Sequence, residues 1–428
     1  MIGAIADDFT GGTDVAVAFR RAGLRTMVLF GIPANDEALL AHDAVVIALK
    51  TRTVPAEEAV TASLAAADWL LRAGAEQIFF KYCSTFDSTP SGNIGPVADA
   101  LADFLGAGQT VVVPSSPEHL RTQYMGHLFV DKVLLSDSHM RHHPLTPMTD
   151  SRVANVLASQ TARPISLTTH DVVRGGRTAI RADRRESAAA GVRYSVIDAV
   201  SDDDLVEIGY ASLDDVFVTG AAGLAGGLGV ARAARAARTQ QLVTADDPAD
   251  LFVGARSAVL AGSCSRRTLE QIAVMQESHP FYFLDAVATP DAGALAEAAL
   301  AWFETIPENV APLIYSSLAP EPLRVSQQLL GVDASANILE TAMGLISQGL
   351  IERGVRRLIT AGGETSGAVV TALGVTGGLI GEELAAGVPW IYTAGDKPVA
   401  LLLKSGNFGE PGLLAEAVAP TTDAETRA

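Results

Sequence analysis

Two adjacent carboxylates, Asp7 and Asp8, follow a short apolar run, IGAIA, in the stretch ADDFTGG. An aspartate after a strand commonly caps the next helix. Two in succession, followed by Thr10-Gly11-Gly12, exceed what a cap needs. One can accept hydrogen bonds from ligand hydroxyls. The other can act as general base on an attacking hydroxyl or hold a metal ion. A second polar segment, KYCSTFDSTPSGNIG at 81–95, follows the apolar run QIFF. Lys81 offers a cation for a carboxylate or phosphate. Ser84, Thr85, Ser88 and Thr89 offer hydroxyls, and Asp87 and Asn93 can read polyol hydroxyls. Gly92 and Gly95 allow backbone N–H groups to point inward, and Asn93 begins the next helix. Turns and caps account for some of the hydroxyl residues. They do not account for a lysine at a strand end. The set suits a small, hydroxylated, negatively charged molecule.

Glycine-rich loops dominate the second half: GSCSRR at 262–267, AGGETSG at 361–367 and KSGNFG at 404–409. Glycines let backbone approach a phosphate, and a following helix offers unpaired N–H groups and a favourable dipole. Thr365 and Ser366 add hydroxyls, and Lys404 is expected to approach phosphate. A strand-to-helix turn that needs glycine for geometry alone gives a similar pattern. GxxxxGK[ST] is absent, and no GxGxxG opens the first strand–helix unit, so neither a P-loop nor an NAD-binding unit is supported. Cys264 lacks the G-x-S-x-G setting of a nucleophile elbow and is expected to be inert. His139, His142 and His143 match no zinc spacing and are expected to stabilise a loop or touch substrate.

These loops need strands to present them. Short apolar runs (IGAIA, TMVLFG, AVVIAL, QIFFKY, TVVVPSS) alternate with helical patterns through the first third. Strands without internal alternation, separated by helices, predict a parallel sheet covered on both faces. Residues 139–151 read as a long loop or excursion, and ISLTTHDVV, VRYSVIDAV and DVFVTG as further strands. A second strand–helix series starts near Ser257. The expected fold is α/β with two domains, each a mainly parallel sheet flanked by helices, and an active site in the cleft between them. Their expected bounds are 1–238 and 257–428, joined by a linker at 239–256. In such sheets ligands bind beyond the carboxyl ends of the strands, where the polar loops fall.

The 428 residues carry a formal charge of −18, with 48% hydrophobic and 19% charged residues. That composition folds, and it argues against nucleic acid or anionic membrane as partners. Two distant cysteines predict a reducing, cytoplasmic setting. The N-terminus does not read as a signal peptide, and no run of about 18 apolar residues predicts a membrane span. Alanine- and leucine-rich helical faces leave room for a homodimer.

ADDFTGG, STFDSTPSGNIGPV, HPLTPMTDS, GSCSRRT, AGGETSG and LKSGNFG, in this order and spanning almost the whole chain, resemble the four-carbon acid sugar kinases. The long lysine-to-DST spacing, with Ser91 before Gly92-Asn93, is similar to the 3-oxo-tetronate kinase branch. The resemblance implies an N-terminal domain for the acid sugar and a C-terminal domain for ATP. It implies 4-phosphorylation of 3-oxo-tetronate in four-carbon sugar acid catabolism, with Mg²⁺ usually bridging the phosphates. By motif, Ser263, Gly362, Gly363, Glu364, Thr365 and Gly406 match ATP contacts. Asp7, Asp8, Lys81, Asp87, Ser88 and Asn93 match the sugar-domain motifs, with Asp8 or Asp7 as the expected base. No residues are assigned to the metal. The alternatives are D-threonate or D-erythronate 4-kinase of the same family, a non-catalytic sugar-acid sensor, and a metal-dependent hydrolase or lyase using Asp7 and Asp8.

Overall fold

A computed structural model describes residues 1–33, 42–142, 146–239, 248–395, 397–404 and 406–419. His143 in the expected excursion, positions 240–247 of the expected linker and Ser405 of KSGNFG lie outside the described residues. Internal contacts divide the chain into two compact units, Met1–Thr244 and Ala245–Ala428.

In the first unit the apolar runs form β1 (Ile2–Ala6), β2 (Thr26–Phe30), β3 (Ala44–Ala48), β4 (Gln77–Lys81) and β5 (Thr110–Val113). Next come β6 (Arg121–Tyr124), β7 (His127–Val130), β8 (Val133–Leu134), β9 (Ile165–Thr168), β10 (Tyr194–Ile197) and β11 (Phe217–Gly220). The main sheet runs β2-β3-β1-β4-β11-β5-β10-β9, all parallel. β1, β3 and β4 are buried along their whole length, which explains runs with no polar alternation. In register, Ala6 pairs with Ala48 and with Lys81, so these three strands end side by side.

The helices of this unit are α1 (Phe9–Arg21), α2 (Ala56–Arg72), α3 (Ile94–Phe104) and α4 (Val153–Ala158). They continue as α5 (His170–Val173), α6 (Gly176–Ala189), α7 (Asp202–Ala211) and α8 (Ala222–Thr239). α2 has Pro55 at its N-cap and Glu57 and Glu58 in its first turn. It buries Ala59, Ala66, Trp69 and Leu70 on one face. The glycine-rich start of α8 has a packing cause: a Cβ on Gly227 would collide with the backbone of Leu205 in α7.

The excursion after β5 holds more order than a loop. β6, β7 and β8 form a small antiparallel sheet. It places Leu120, Met125 and Asp131 at positive φ, and of these only Met125 has a glycine, Gly126, beside it to announce a turn. Asp198, fully buried after β10, pins it by accepting from the backbone N–H groups of Met125 (2.7 Å) and Gly126 (2.9 Å) and from Gln123 Nε2 (3.1 Å).

The second unit contains β12 (Ser257–Ala261), β13 (Phe281–Phe283), β14 (Leu313–Tyr315) and β15 (Arg357–Ala361). β16 (Gly377–Ala385), β17 (Val388–Tyr392) and β18 (Ala400–Lys404) follow. Their order is β13-β14-β12-β15-β18-β17-β16. The first five are parallel, while β17 runs antiparallel to both β18 and β16. That antiparallel edge adds to the expected parallel series. The helices are α9 (Arg266–Gln276), α10 (Ala292–Phe303), α11 (Pro320–Leu330), α12 (Val332–Glu352), α13 (Gly363–Ala372) and α14 (Leu413–Val418). Val259, Ile272, Met275, Leu313, Ile359 and Trp390 share its core. Among the described residues no single helix is long and apolar enough to cross a membrane; α11 and α12 meet the test only together, across a 102° bend.

Candidate active site

In the first unit the loops after β1, β3 and β4 supply the charged groups. Asp8 is the N-cap of α1 and accepts from Gly11 N–H at 2.9 Å. It therefore does serve as a cap, but not only that. Arg52, in the loop after β3, donates to Asp7 through Nε (2.8 Å) and Nη2 (2.7 Å), and Nη2 also donates to Asp8 Oδ1 at 2.7 Å. Both oxygens of Asp7 are thus held by one guanidinium. Asp8 keeps Oδ2 without a hydrogen bond among the described residues. Burial pushes the Asp7 carboxyl up, against the pull of Arg52 and Lys81. Burial works to lower Arg52, and the bond to Asp7 overcomes it, so Arg52 is raised and stays charged.

Lys81 ends β4 and is 4% exposed. Among the described residues its ammonium makes no hydrogen bond or ion pair. It lies over Gly11, where an added Cβ would come 2.5 Å from Nζ and collide with Asp8 Oδ1. One turn along α1, Asp14 joins the group: burial raises its carboxyl, and the field of Lys81 opposes that rise. Gly11 thus clears a floor beneath an unpaired cation flanked by Asp8 and Asp14.

The rest of the 81–95 loop is more structural than its sequence suggests. Asn93 Nδ2 donates to the carbonyls of Thr51 (2.6 Å) and Val54 (3.1 Å), so its N–H groups hold the loop that carries Arg52. The amide N–H groups expected to read polyol hydroxyls are thus engaged within the protein, which leaves Oδ1. The inward N–H groups expected of Gly92 and Gly95 are also taken, by Thr89 O (2.8 Å) and Gln160 Oε1 (2.9 Å). Asp87 accepts from Thr85 Oγ1 (2.6 Å) and from Thr146 Oγ1 (3.3 Å), which ties the excursion to this loop. Ser88 is half-buried, and its hydroxyl fills the space where a Gly92 side chain would stand. Burial, with Asp87 beside it, pushes the Cys83 thiol up and keeps it protonated.

In the second unit the strand ends interlock through backbone. Gly262 and Ser263 donate to Ala361 O at 2.9 and 3.1 Å, and Gly362 donates to Lys404 O at 2.9 Å. Ser316, after β14, donates to Ala261 O at 2.9 Å. Gly362 has φ +128°, which favours glycine, and its added Cβ would lie 3.0 Å from Ser263 N. A Cβ on Gly262 would collide with Thr365 Oγ1, and one on Gly406 would come 2.7 Å from Ser263 Oγ. The three glycine loops are therefore packed against one another. α9 and α13 start here, the first capped by Ser265 and the second by Gly362 with no side-chain cap bond. Gly363 and Glu364 face open solvent, while Thr365 is buried. Two helix N-termini meeting at a backbone cradle give a setting that favours an anion. Lys404 does not line it: its side chain is fully buried. The side chain expected to approach phosphate thus lies beneath the cradle surface.

Arg52 and Asp14 escaped the sequence reading. The signal for Arg52 was a charged TRT after a buried strand, which matters only once β3 is known to lie beside β1. For Asp14 it was the i, i+3 spacing from Gly11. Among the described residues no group of three or more His, Cys, Asp or Glu side chains gathers to hold a metal.

Residues 2–228 match the family described as "Sugar-binding N-terminal domain", and residues 258–414 match "Nucleotide-binding C-terminal domain". A Burkholderia multivorans protein named 3-oxo-tetronate kinase is 45% identical over 411 residues, covering 96% of this chain and 94% of the relative. A Pseudomonas fluorescens protein of the same name is 46% identical over 420 residues, covering 98% and 96%. The fold matches that of a crystallised Haemophilus influenzae protein with TM-score 0.88 and 37% identity, over 97% of this chain and 98% of that one.

Proposed function

We infer the reaction from membership and geometry together: the chain belongs to the four-carbon acid sugar kinase family, in its 3-oxo-tetronate kinase branch. It is an ATP-dependent kinase that phosphorylates the 4-hydroxyl of 3-oxo-tetronate in four-carbon sugar acid catabolism. The observation that carries the acid-sugar assignment is Lys81, a buried ammonium without a protein partner among the described residues, beside an aspartate that keeps one oxygen free.

Lys81 binds the substrate carboxylate over Gly11. Asp8, through Oδ2, orients the 4-hydroxyl and accepts its proton. Asp7 is unsuited to that step because Arg52 occupies both its oxygens; it fixes Arg52, and Arg52 fixes Asp8. Asp87 and Ser88 border the same loop and contact the acid's hydroxyls. The cradle of Ser263, Gly362, Gly363, Thr365 and Gly406 binds the nucleotide phosphates through the Ser263 and Thr365 hydroxyls and the uncapped N–H groups at the start of α13, while the N–H groups of Ser263 and Gly362 hold the cradle's own carbonyls. Catalysis then consists of alignment and charge stabilisation, because phosphoryl transfer asks for little covalent help. Glu364, exposed in the first turn of α13, is the carboxylate that would hold a Mg²⁺ accompanying the phosphates. Bound there, it would neutralise phosphate charge. The two cysteines are free, which suits a cytoplasmic enzyme. Exposed Val325, Leu329 and Val332 along α11 and the start of α12 leave room for a homodimer contact.

The test is coupled ADP release with ATP, Mg²⁺ and a panel of C4 acids. Turnover confined to 3-oxo-tetronate is expected. Turnover with D-threonate or D-erythronate instead would keep the kinase and overturn the substrate, and binding of acid without ADP release would overturn the kinase.

A further inference from the structure

Lys404 closes β18 with its side chain fully buried. Nζ donates to Thr268 Oγ1 at 3.0 Å and to the Gly406 carbonyl at 2.8 Å. Among the described residues no carboxylate pairs with it. The charged group that acts on it is Arg267 of α9, which has the same sign. Arg357 and Tyr392 belong to the far, Ala400 end of the strand register, and Glu364 of α13 is exposed. A buried ammonium is ordinarily paired with an anion. This one sits beneath the cradle with a second cation near it and no anion.

Its surroundings are crowded with donors as well. Ser265 Oγ (2.6 Å) and Thr268 Oγ1 (2.8 Å) also donate to the Gly406 carbonyl. A carbonyl has two lone pairs, so three donors to one oxygen leave one in surplus. Ser265 is the N-cap of α9, and its hydroxyl accepts from the Thr268 N–H of the first turn. Lys404 therefore joins the loop after β18 to the start of α9, two of the pieces that shape the cradle.

We propose that Lys404 is a positioning residue for the nucleotide: its ammonium fastens the Gly406 loop to the first turn of α9, and the counter-charge it lacks is supplied by the nucleotide's phosphates. The proposal rests on the assignment of this unit as the nucleotide half. Burial, aided by Arg267, lowers the free protein's Lys404 to about 8. An arriving phosphate raises it again, so nucleotide binding near that pH draws a proton from solvent.

Calorimetric titration of the full chain with MgADP at pH 8, in two buffers of different ionisation enthalpy, reads this directly. Uptake of about half a proton per bound nucleotide is expected, because a group near its pKa is half-charged. The uptake should fade toward pH 6.5, where Lys404 is already charged. Lys404→Met should abolish it and weaken MgADP by about tenfold or more, equal to about 1.4 kcal/mol. Thr268→Val should weaken binding less and retain the uptake. Binding by the wild type without proton uptake at pH 8 overturns the proposal, and needs no variant that folds. Full affinity in a folded Lys404→Met protein overturns it too. Failure of the wild type to bind MgADP at all instead brings down the nucleotide assignment, and the proposal with it.

Discussion

The polar clusters of the two units are built from different materials. In the first unit the cluster proposed to meet the ligand is made of charged side chains, Asp8, Lys81 and Asp14, with Arg52 holding Asp7 and Asp8. In the second the proposed cluster is backbone and hydroxyls, packed close because Gly262, Gly362 and Gly406 leave little room for a Cβ. On the proposed assignment the difference follows the ligands. A nucleotide presents phosphates, which helix N-termini and bare backbone recognise without reading stereochemistry. A four-carbon acid presents one carboxylate and a few oxygens whose arrangement must be distinguished, and only placed side chains do that. The first half should therefore be sensitive to loss of a functional group, and the second to gain of bulk.

The largest effect tests the first statement. Asp8→Asn should lower kcat by about a hundred- to ten-thousandfold, the range for losing a positioned general base. The nucleotide KM should hardly change. Near-normal turnover in steady-state assays would remove Asp8 from the chemistry. Next comes the support: Arg52→Ala removes the two-pronged hold on buried Asp7 and leaves that carboxylate without its cation. Breaking a buried pair costs about 3 kcal/mol, which urea denaturation would show as a lowered midpoint, together with a raised KM for the acid.

In the second half, Gly262→Ala places a methyl against Thr365 Oγ1. It should raise the ATP KM by about tenfold, or about 1.4 kcal/mol, and leave the acid KM unchanged. Adding Thr365→Ala removes the colliding oxygen and should restore part of the loss. An equal rise in both KM values would mean the halves are not distinct in this sense.

The smallest effect is on stability. The folded pKa of Lys404 is lowered, so between about pH 8 and its unfolded value near 10.5 the unfolded chain binds more protons than the folded one. That contribution makes stability rise with pH across this window. Comparing wild type with Lys404→Met by thermal unfolding at several pH values isolates it, and an unchanged slope in the variant would exclude it.

The alternation of strands and helices was legible because buried parallel strands write themselves as uninterrupted apolar runs; QIFF and IGAIA are such runs. The polar loops at their ends were legible for the same reason. Arg52 was not, because its meaning depends on which strands are neighbours, and sequence order does not state that. Asn93 and Gly95 misled because an amide or an N–H suited to a ligand is equally suited to a carbonyl 40 residues or more away in the chain. Lys404 misled because a lysine in a glycine loop looks exposed until the strand beneath it is seen to end inside the protein. The small β6–β7–β8 sheet left little trace because its turns use Leu120, Met125 and Asp131 at positive φ.

That small sheet also has an order of assembly. Asp198 lies 73 residues beyond Met125, and its carboxylate takes the place that water or a ladder partner would otherwise fill at the turn. Until β10 has joined the main sheet, the Met125 and Gly126 amides have no such acceptor. Long-range closures of this kind form late, because chain entropy is lost before the contact repays it. The excursion, and with it the Thr146 contact to Asp87, is thus among the last parts to set during folding. Pulsed hydrogen exchange should find the Met125 and Gly126 amides protected after those of β1 and β4.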